Sequence, residues 1–118
     1  MLRRFAVVFN VIMVCALAGS VSAVVGGPNF RRGDANNDGN VNISDPVYIS
    51  NFLFQGGPDI SCYDAADAND SGTVDVSDIV FLYSYLFQGG AAPPNPGPTT
   101  CGPDPTSDSI GCLSTICP

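Results

Sequence analysis

The residues whose types and spacing suggest chemistry form a twelve-residue stretch, Asp34 to Asp45, with the sequence DANNDGNVNISD. Oxygen-bearing side chains occupy alternate positions, a glycine stands at the centre and an aspartate closes the stretch. A hard cation such as Ca²⁺ takes about 6–8 oxygen ligands, which a twelve-residue loop with a central glycine can supply. The pattern therefore predicts a calcium-binding loop.

The same pattern returns 33 residues later in the stretch Asp67 to Asp78, DANDSGTVDVSD. The similarity extends beyond the loops, because FLFQGG at 52–57 matches YLFQGG at 85–90. We interpret this as a tandem duplication, in which each half packs its apolar stripe against the other about a pseudo-twofold axis. The predicted fold is small and all-α, with two loop–helix repeats (33–57 and 66–90) in a domain at 33–90.

Position in the loop assigns a role to each predicted ligand. Each loop should hold one Ca²⁺, two ions in all, with three carboxylates around each. In the first loop we expect side-chain ligands from Asp34, Asn36, Asp38 and Asp45, a backbone carbonyl from Asn40, and Asn42 acting through water. In the second loop the corresponding residues are Asp67, Asn69, Ser71 and Asp78, the carbonyl of Thr73, and Asp75 at the water position. Val41 and Val74 are expected to point into the core and to pair the loops through a short β-bridge.

A helix is predicted after each loop. Ser44 and Ser77 are expected to be the N-caps, and glycine pairs end the helices near Gln55 and Gln88. Glycine and proline just upstream of both loops predict that neither loop is preceded by a helix. In the first helix Ile49, Phe52 and Leu53 share the core face, whereas Val47, Ser50, Asn51 and Phe54 share another. Phe54 and its equivalent Phe87 could face a partner or pack beneath the tail.

Composition narrows the possible functions. The 118 residues include eleven Asp and four Arg but no Lys, Glu, His or Trp, with a net charge of −7. An acidic chain argues against nucleic acid as a partner. The absence of His and Lys removes the usual bases for a Ser or Cys nucleophile, so we do not expect an enzyme.

Both ends of the chain indicate export. Residues 1–23 have the charge, apolar run and small-residue end of a secretory signal peptide, with an uncleaved anchor as the alternative. A lead-in at 24–32 follows, and the region 91–118 is an irregular Pro/Gly/Cys-rich tail. Four cysteines would remain after cleavage and are expected to form two disulfides of undetermined pairing, the alternative being free thiols or a metal site. They are Cys62, Cys101, Cys112 and Cys117.

A duplicated loop–helix unit in which Asp closes each loop resembles the dockerin type I domain. The matching residues are the run 33–45, the apolar positions Ile49 and Phe52-Leu53, and their copies from Asp67 to Leu86. The resemblance implies a small calcium-dependent helical module. With the signal peptide removed, we expect a secreted or cell-surface monomer that is free of the membrane. It also implies docking onto a cohesin domain and an association with extracellular polysaccharide degradation. The partner contacts that it implies are Ile43, Ser44, Ser50, Asn51 and Gln55, and in the second repeat Val76, Ser77, Tyr83, Ser84 and Gln88.

A second interpretation keeps the calcium loops but removes the receptor. We expect no enzyme domain in this sequence. It has four cysteines outside the predicted signal peptide, which suits a structural module of a cell surface or extracellular matrix. Binding to cohesin-type domains in the presence and absence of a calcium chelator separates the two interpretations.

Overall fold

The computed structural model describes residues 27–114 and Cys117. This part of the chain contains three α-helices, α1 (Ser44–Phe54), α2 (Tyr63–Ala66) and α3 (Val76–Phe87). The described residues form no strand, and their only β pairing is two isolated antiparallel bridges, Phe30–Gly102 and Cys62–Cys112. The predicted small all-α fold is confirmed. The predicted signal peptide, residues 1–23, lies outside the described residues.

The helices α1 and α3 end in the same way, as the paired glycines predicted. Gly56 and Gly89 adopt positive φ angles of 66° and 70°, which glycine reaches without steric cost. The chain then turns back, so that the next glycine donates its N–H to a helix carbonyl, Gly57 to Asn51 and Gly90 to Ser84, both at 2.9 Å. Each helix therefore stops at Phe, one residue before the predicted Gln.

The beginnings of the helices differ from the prediction. Ser44 is the first helical residue of α1, not its N-cap, and its N–H and Oγ both donate to Asn42 Oδ1. Asp75 caps α3 by accepting the N–H of Ser77, so α3 starts at Val76, before the predicted Asp78. Neither serine is a cap, because both already lie inside the helix. Each serine instead donates its N–H and its Oγ–H to the side chain two residues earlier, Asn42 or Asp75.

The prediction that no helix precedes the loops holds for the first loop and is wrong for the second. The single turn α2 runs directly into Asp67. Cys62 stands in extended conformation before α2 and its Sγ accepts the N–H of Ala65 at 3.3 Å. Cys62 is also disulfide-bonded to Cys112, which fixes the position at which this turn begins.

The core lies between α1 and α3, which pack against each other. Ile49 and Leu82 occupy equivalent repeat positions and are both fully buried. The rest of the core comes from both helices, α2 and the loops. The buried residues are Ala35, Ile60, Ala66, Ala68 and Ile79, and Phe52 and Leu53 pack partly buried against them.

Val41 and Val74 also pack against this core, as predicted. The β-bridge between them was wrong, because no bridge in the described residues joins the two loops. The backbone N–H groups that follow these valines, from Asn42 and Asp75, instead donate to the carboxylates that close the loops.

The tail is irregular but fastened to the domain. Phe30 and Gly102 exchange backbone hydrogen bonds of 2.9 and 3.0 Å, and Arg32 N–H donates to the carbonyl of Gly97 at 2.9 Å. The two predicted disulfides are present and their pairing is Cys62–Cys112 and Cys101–Cys117. The first bond links the connector before the second loop to the end of the tail.

Arg32 is a fully buried arginine at the junction of lead-in, domain and tail. Its guanidinium donates to the carbonyls of Asp64 (3.1 Å), Asp67 (3.0 Å) and Asn95 (3.1 Å) and to Asp104 Oδ1 (2.8 Å). It also lies 5.0 Å from the centroid of the Phe30 ring, a cation–π contact. The tripeptide Arg32-Gly33-Asp34, which spells an integrin-type motif, is buried.

We expect Arg32→Ala to lower the free energy of unfolding by about 3–5 kcal/mol, because it leaves Asp104 and buried carbonyls without their donor. Arg31→Ala is the matched control, since Arg31 makes one exposed hydrogen bond, to the carbonyl of Gly39. Denaturant unfolding with calcium present measures both variants. Equal losses in the two variants would contradict the structural role of Arg32.

Candidate calcium loops and helix faces

The first loop is built around two buried aspartates, one at each end. Asp34 accepts the N–H groups of Asp38 (3.0 Å) and Gly39 (2.9 Å), one on each carboxylate oxygen. Asp45 accepts those of Asn36 (3.3 Å) and Asn42 (2.8 Å) in the same manner. The loop therefore wraps its backbone around both carboxylates.

The second loop repeats this arrangement at the equivalent positions. Asp67 accepts from Ser71 (2.9 Å) and Gly72 (2.8 Å), and Asp78 accepts from Asn69 (3.2 Å) and Asp75 (2.9 Å). Each of these distances agrees with its counterpart in the first loop to 0.1 Å. The two sequences fold into one loop geometry in spite of their differences, such as Ser71 in place of Asp38.

Positive φ angles at matching positions make the turns. Gly39 and Gly72 have φ of 92° and 91°, and Asn37 and Asp70 have φ of 62° and 58°. Asn and Asp are the non-glycine residues that tolerate the left-handed region best. The central glycine of each loop therefore makes the sharp turn that the calcium-loop pattern requires.

The alternate asparagines are held by the serines that the sequence suggested as caps. Asn36 Nδ2 donates to Ser44 Oγ at 2.9 Å, and Asn69 Nδ2 donates to Ser77 Oγ at 3.0 Å. The opposite atom, Oδ1, accepts a backbone N–H within the loop, from Asp38 and Ser71 respectively. These contacts fix which end of each amide carries the oxygen acceptor inside the loop.

The loops differ in how their acids gather. Carboxylate oxygens of Asp34, Asp38 and Asp45 lie within 4.8 Å of one another. Among the described residues, no such group combines the three acids predicted for the second loop. Asp75 lies exposed and uses its oxygens to accept from Ser77 and Thr73. Two residues were predicted to offer a backbone carbonyl to the ion. The carbonyl of Thr73 accepts a hydrogen bond from Ser71 Oγ at 3.2 Å. For Asn40, the backbone N–H donates to Asp38 Oδ1 at 2.9 Å.

Burial dominates the electrostatics of the loop-closing aspartates. It raises the pKa of Asp45 to about 7, although backbone hydrogen bonds from Asn42 and Asn36 act in the opposite direction. The pKa of Asp78 is also raised to about 7 by burial. Burial raises the pKa of Asp34 as well, whereas hydrogen bonds from Ser77 lower that of the exposed Asp75.

The donor set suits a hard cation. The first loop offers three carboxylates and amide oxygens. Both ion pairs in the described part of the chain belong to Arg32, which pairs with Asp70 and Asp104 and with none of the predicted ligands. Buried carboxylates that are ionised without a cation partner are costly. A divalent ion held by oxygen ligands removes this cost, and oxygen is the ligand type that Ca²⁺ prefers.

The helices expose an apolar trio in each repeat. Ile43, Val47 and Phe54 in the first repeat correspond to Val76, Val80 and Phe87 in the second, at an offset of 33 residues. Their side chains are 53, 43 and 65% exposed in the first repeat, and 54, 59 and 63% exposed in the second. Phe54 and Phe87 therefore face outward and do not pack beneath the described part of the tail.

The ten residues predicted to contact a partner divide by exposure. Ile43, Gln55, Val76, Ser77 and Gln88 are exposed, whereas Ser44, Ser50, Asn51, Tyr83 and Ser84 are partly buried. Tyr83 stacks on Phe87 with ring centroids 6.2 Å apart. The predicted set contained neither Val47 nor its counterpart Val80, although both are exposed.

The geometry defines a small disulfide-bonded helical domain with two loops of calcium-binding type. A family model for the dockerin type I domain matches residues 32–87. The chain therefore contains a dockerin type I domain, as the sequence pattern indicated. Dockerin domains bind calcium and dock onto cohesins, and they are not catalytic. Comparison with curated proteins and with solved structures finds no match.

The raised pKa values predict opposite pH responses with and without metal. Asp45 and Asp78 have a pKa of 3.8 in the unfolded chain and of about 7 in the folded, calcium-free chain. The stability of the calcium-free fold is therefore highest at low pH and falls as the pH rises from about 3.8 towards about 7. With calcium bound the trend reverses, because protons compete with the metal for the same oxygens. Circular dichroism after removal of calcium on a chelating resin, and again with calcium, measures both trends.

Asp45→Asn removes one of the titrating groups and should weaken the pH response of the calcium-free chain. Asp59→Asn, outside both loops, should leave it unchanged. A calcium-free chain whose helicity rises with pH over this interval would contradict the assignment.

Proposed function

We propose that this protein is a secreted docking module that binds one Ca²⁺ in each loop and presents its helix faces to a cohesin-type protein. The observation that supports this most strongly is the repetition of the loop hydrogen bonds at a 33-residue offset. Two sequences that differ in their acids keep the same backbone arrangement, which is expected when both serve the same ion.

In the first loop the ion would be held by the side chains of Asp34, Asn36, Asp38 and Asp45, the carbonyl of Asn40, and Asn42 through water. In the second, Asp67, Asn69, Ser71, Asp78, the carbonyl of Thr73, and Asp75 through water would serve. The metal supplies positive charge to the buried carboxylates. Asp45 and Asp78 lie in the first turns of α1 and α3, so binding also fixes where these helices start.

We expect Asp45→Asn and Asp78→Asn each to remove one Ca²⁺ from the number bound and to reduce calcium-dependent helicity. Asn keeps the acceptor oxygen but not the charge that balances the ion. Equilibrium dialysis gives the number of ions, with Asp59→Asn as the control that keeps the wild-type number. Full calcium binding in the double variant Asp45→Asn/Asp78→Asn would refute the ligand assignment.

The docking surface would be formed by the two apolar trios and the polar residues beside them. Aromatic side chains that are exposed on rigid helices are favourable anchors for a partner. The cohesin-type partner, the extracellular location and an association with polysaccharide degradation are inferred from the family. No helix in residues 27–114 is long and apolar enough to cross a membrane.

We expect Phe54→Ser combined with Phe87→Ser to weaken binding to a cohesin domain by at least tenfold, while calcium binding stays intact. Leu113→Ser is the matched control, because Leu113 is 87% exposed and belongs to the tail, not to α1 or α3. Calorimetric titration with cohesins from the source genome, with calcium and with EDTA, measures the effect. Absence of binding to any of these cohesins would favour the receptor-free structural module.

A further inference from the structure

A second group of acids lies outside the loops, where the tail meets α2. Carboxylate oxygens of Asp64, Asp104 and Asp108 lie within 4.8 Å of one another. Asp64 belongs to α2, whereas Asp104 and Asp108 belong to the tail, beyond the segment that the family model matches. The group therefore joins two parts of the chain that are remote in sequence.

Asp64 distinguishes this group from an ordinary cluster of surface acids. It is 6% exposed, and its Oδ1 is buried without any hydrogen-bond partner. It is the only such side-chain atom among the described residues. An unsatisfied buried acceptor is destabilising, and more so when it is charged. Most buried polar atoms in native structures have a partner, such as a protein group, an ordered water or an ion.

Arg32 does not provide the missing partner. Its guanidinium contacts Asp64 only through the backbone carbonyl, at 3.1 Å. Its charge is directed to Asp104 Oδ1 at 2.8 Å and to Asp70 Oδ1 at 3.5 Å. Asp108 accepts the N–H of Ile110 at 3.1 Å and pairs with neither described arginine. Asp64 and Asp108 therefore have no ion-pair partner among the described residues.

We propose that Asp64, Asp104 and Asp108 bind a further Ca²⁺, distinct from the ions of the two loops, which fastens the tail to the helical domain. Three carboxylates from separate turns of the chain form an all-oxygen donor set of the kind that Ca²⁺ takes. The ion would satisfy Asp64 Oδ1 and hold the tail beside the bond that links Cys62 to Cys112.

The number of ions bound by the oxidised full chain tests this proposal. Equilibrium dialysis would extend to Ca²⁺ concentrations of about 10⁻³ M, the range of weak extracellular sites. Wild-type protein should bind one ion more than Asp64→Asn and one more than Asp108→Asn. Asp59→Asn, an acid on the same connector, should bind as many ions as the wild type. Circular dichroism confirms that each variant retains α1 and α3.

Asp108 needs a separate control, because it also lies within 4.8 Å of Asp67 and Asp70. Loss of an ion in both variants assigns the site to the Asp64 group. Loss in Asp108→Asn alone would place the ion with Asp67 and Asp70 and overturn the proposal. A wild-type chain that binds no more than the two ions of the loops would also overturn it, whether or not the variants fold.

Discussion

The structure depends on one constraint, the burial of an aspartate at both ends of each loop. Asp34, Asp45, Asp67 and Asp78 are nearly or fully buried, although an ionised carboxylate is among the most expensive groups to remove from water. Four backbone N–H groups in each loop reduce the cost, and the cation proposed for each loop would supply further compensation. Because the closing aspartates stand in the first turns of α1 and α3, such a cation would be coupled to the helices and to the core between them.

Much of this arrangement could be predicted because it is local. The side chains that define the loops are at most eleven residues apart, and the glycine pairs that end α1 and α3 act on the turn directly before them. The helix starts were predicted less well, since the sequence offers both Asn42 and Ser44 as acceptors for the free N–H groups at the start of α1. The structure shows that Asn42 accepts the N–H of Ser44. The bridge between Val41 and Val74 failed for a similar reason, as the closing aspartates take the neighbouring N–H groups.

The tail shows what sequence periodicity does not reveal. Arg32 donates to Asp104, 72 residues away, and nothing in the spacing of either residue indicates this contact. The four cysteines allowed three pairings, and the choice of Cys112 for Cys62 depends on a backbone pairing that forms only in the folded chain. Nothing in the sequence distinguishes Asp64 from other polar residues, yet in the fold it is buried beside two acids of the tail. Proline and glycine correctly predicted irregular backbone, but irregular backbone can still be closely packed.

The position of Arg32 has a consequence for where the cooperative folding unit ends. The family model begins at this residue and stops at residue 87, yet the acceptors of the guanidinium include Asn95 and Asp104. A fragment cut after the second repeat would retain a buried cation without those acceptors and Cys62 without Cys112. The contacts of Arg32 and the Cys62–Cys112 bond therefore continue beyond residue 87, so the end of the matched segment is not the end of the packed structure.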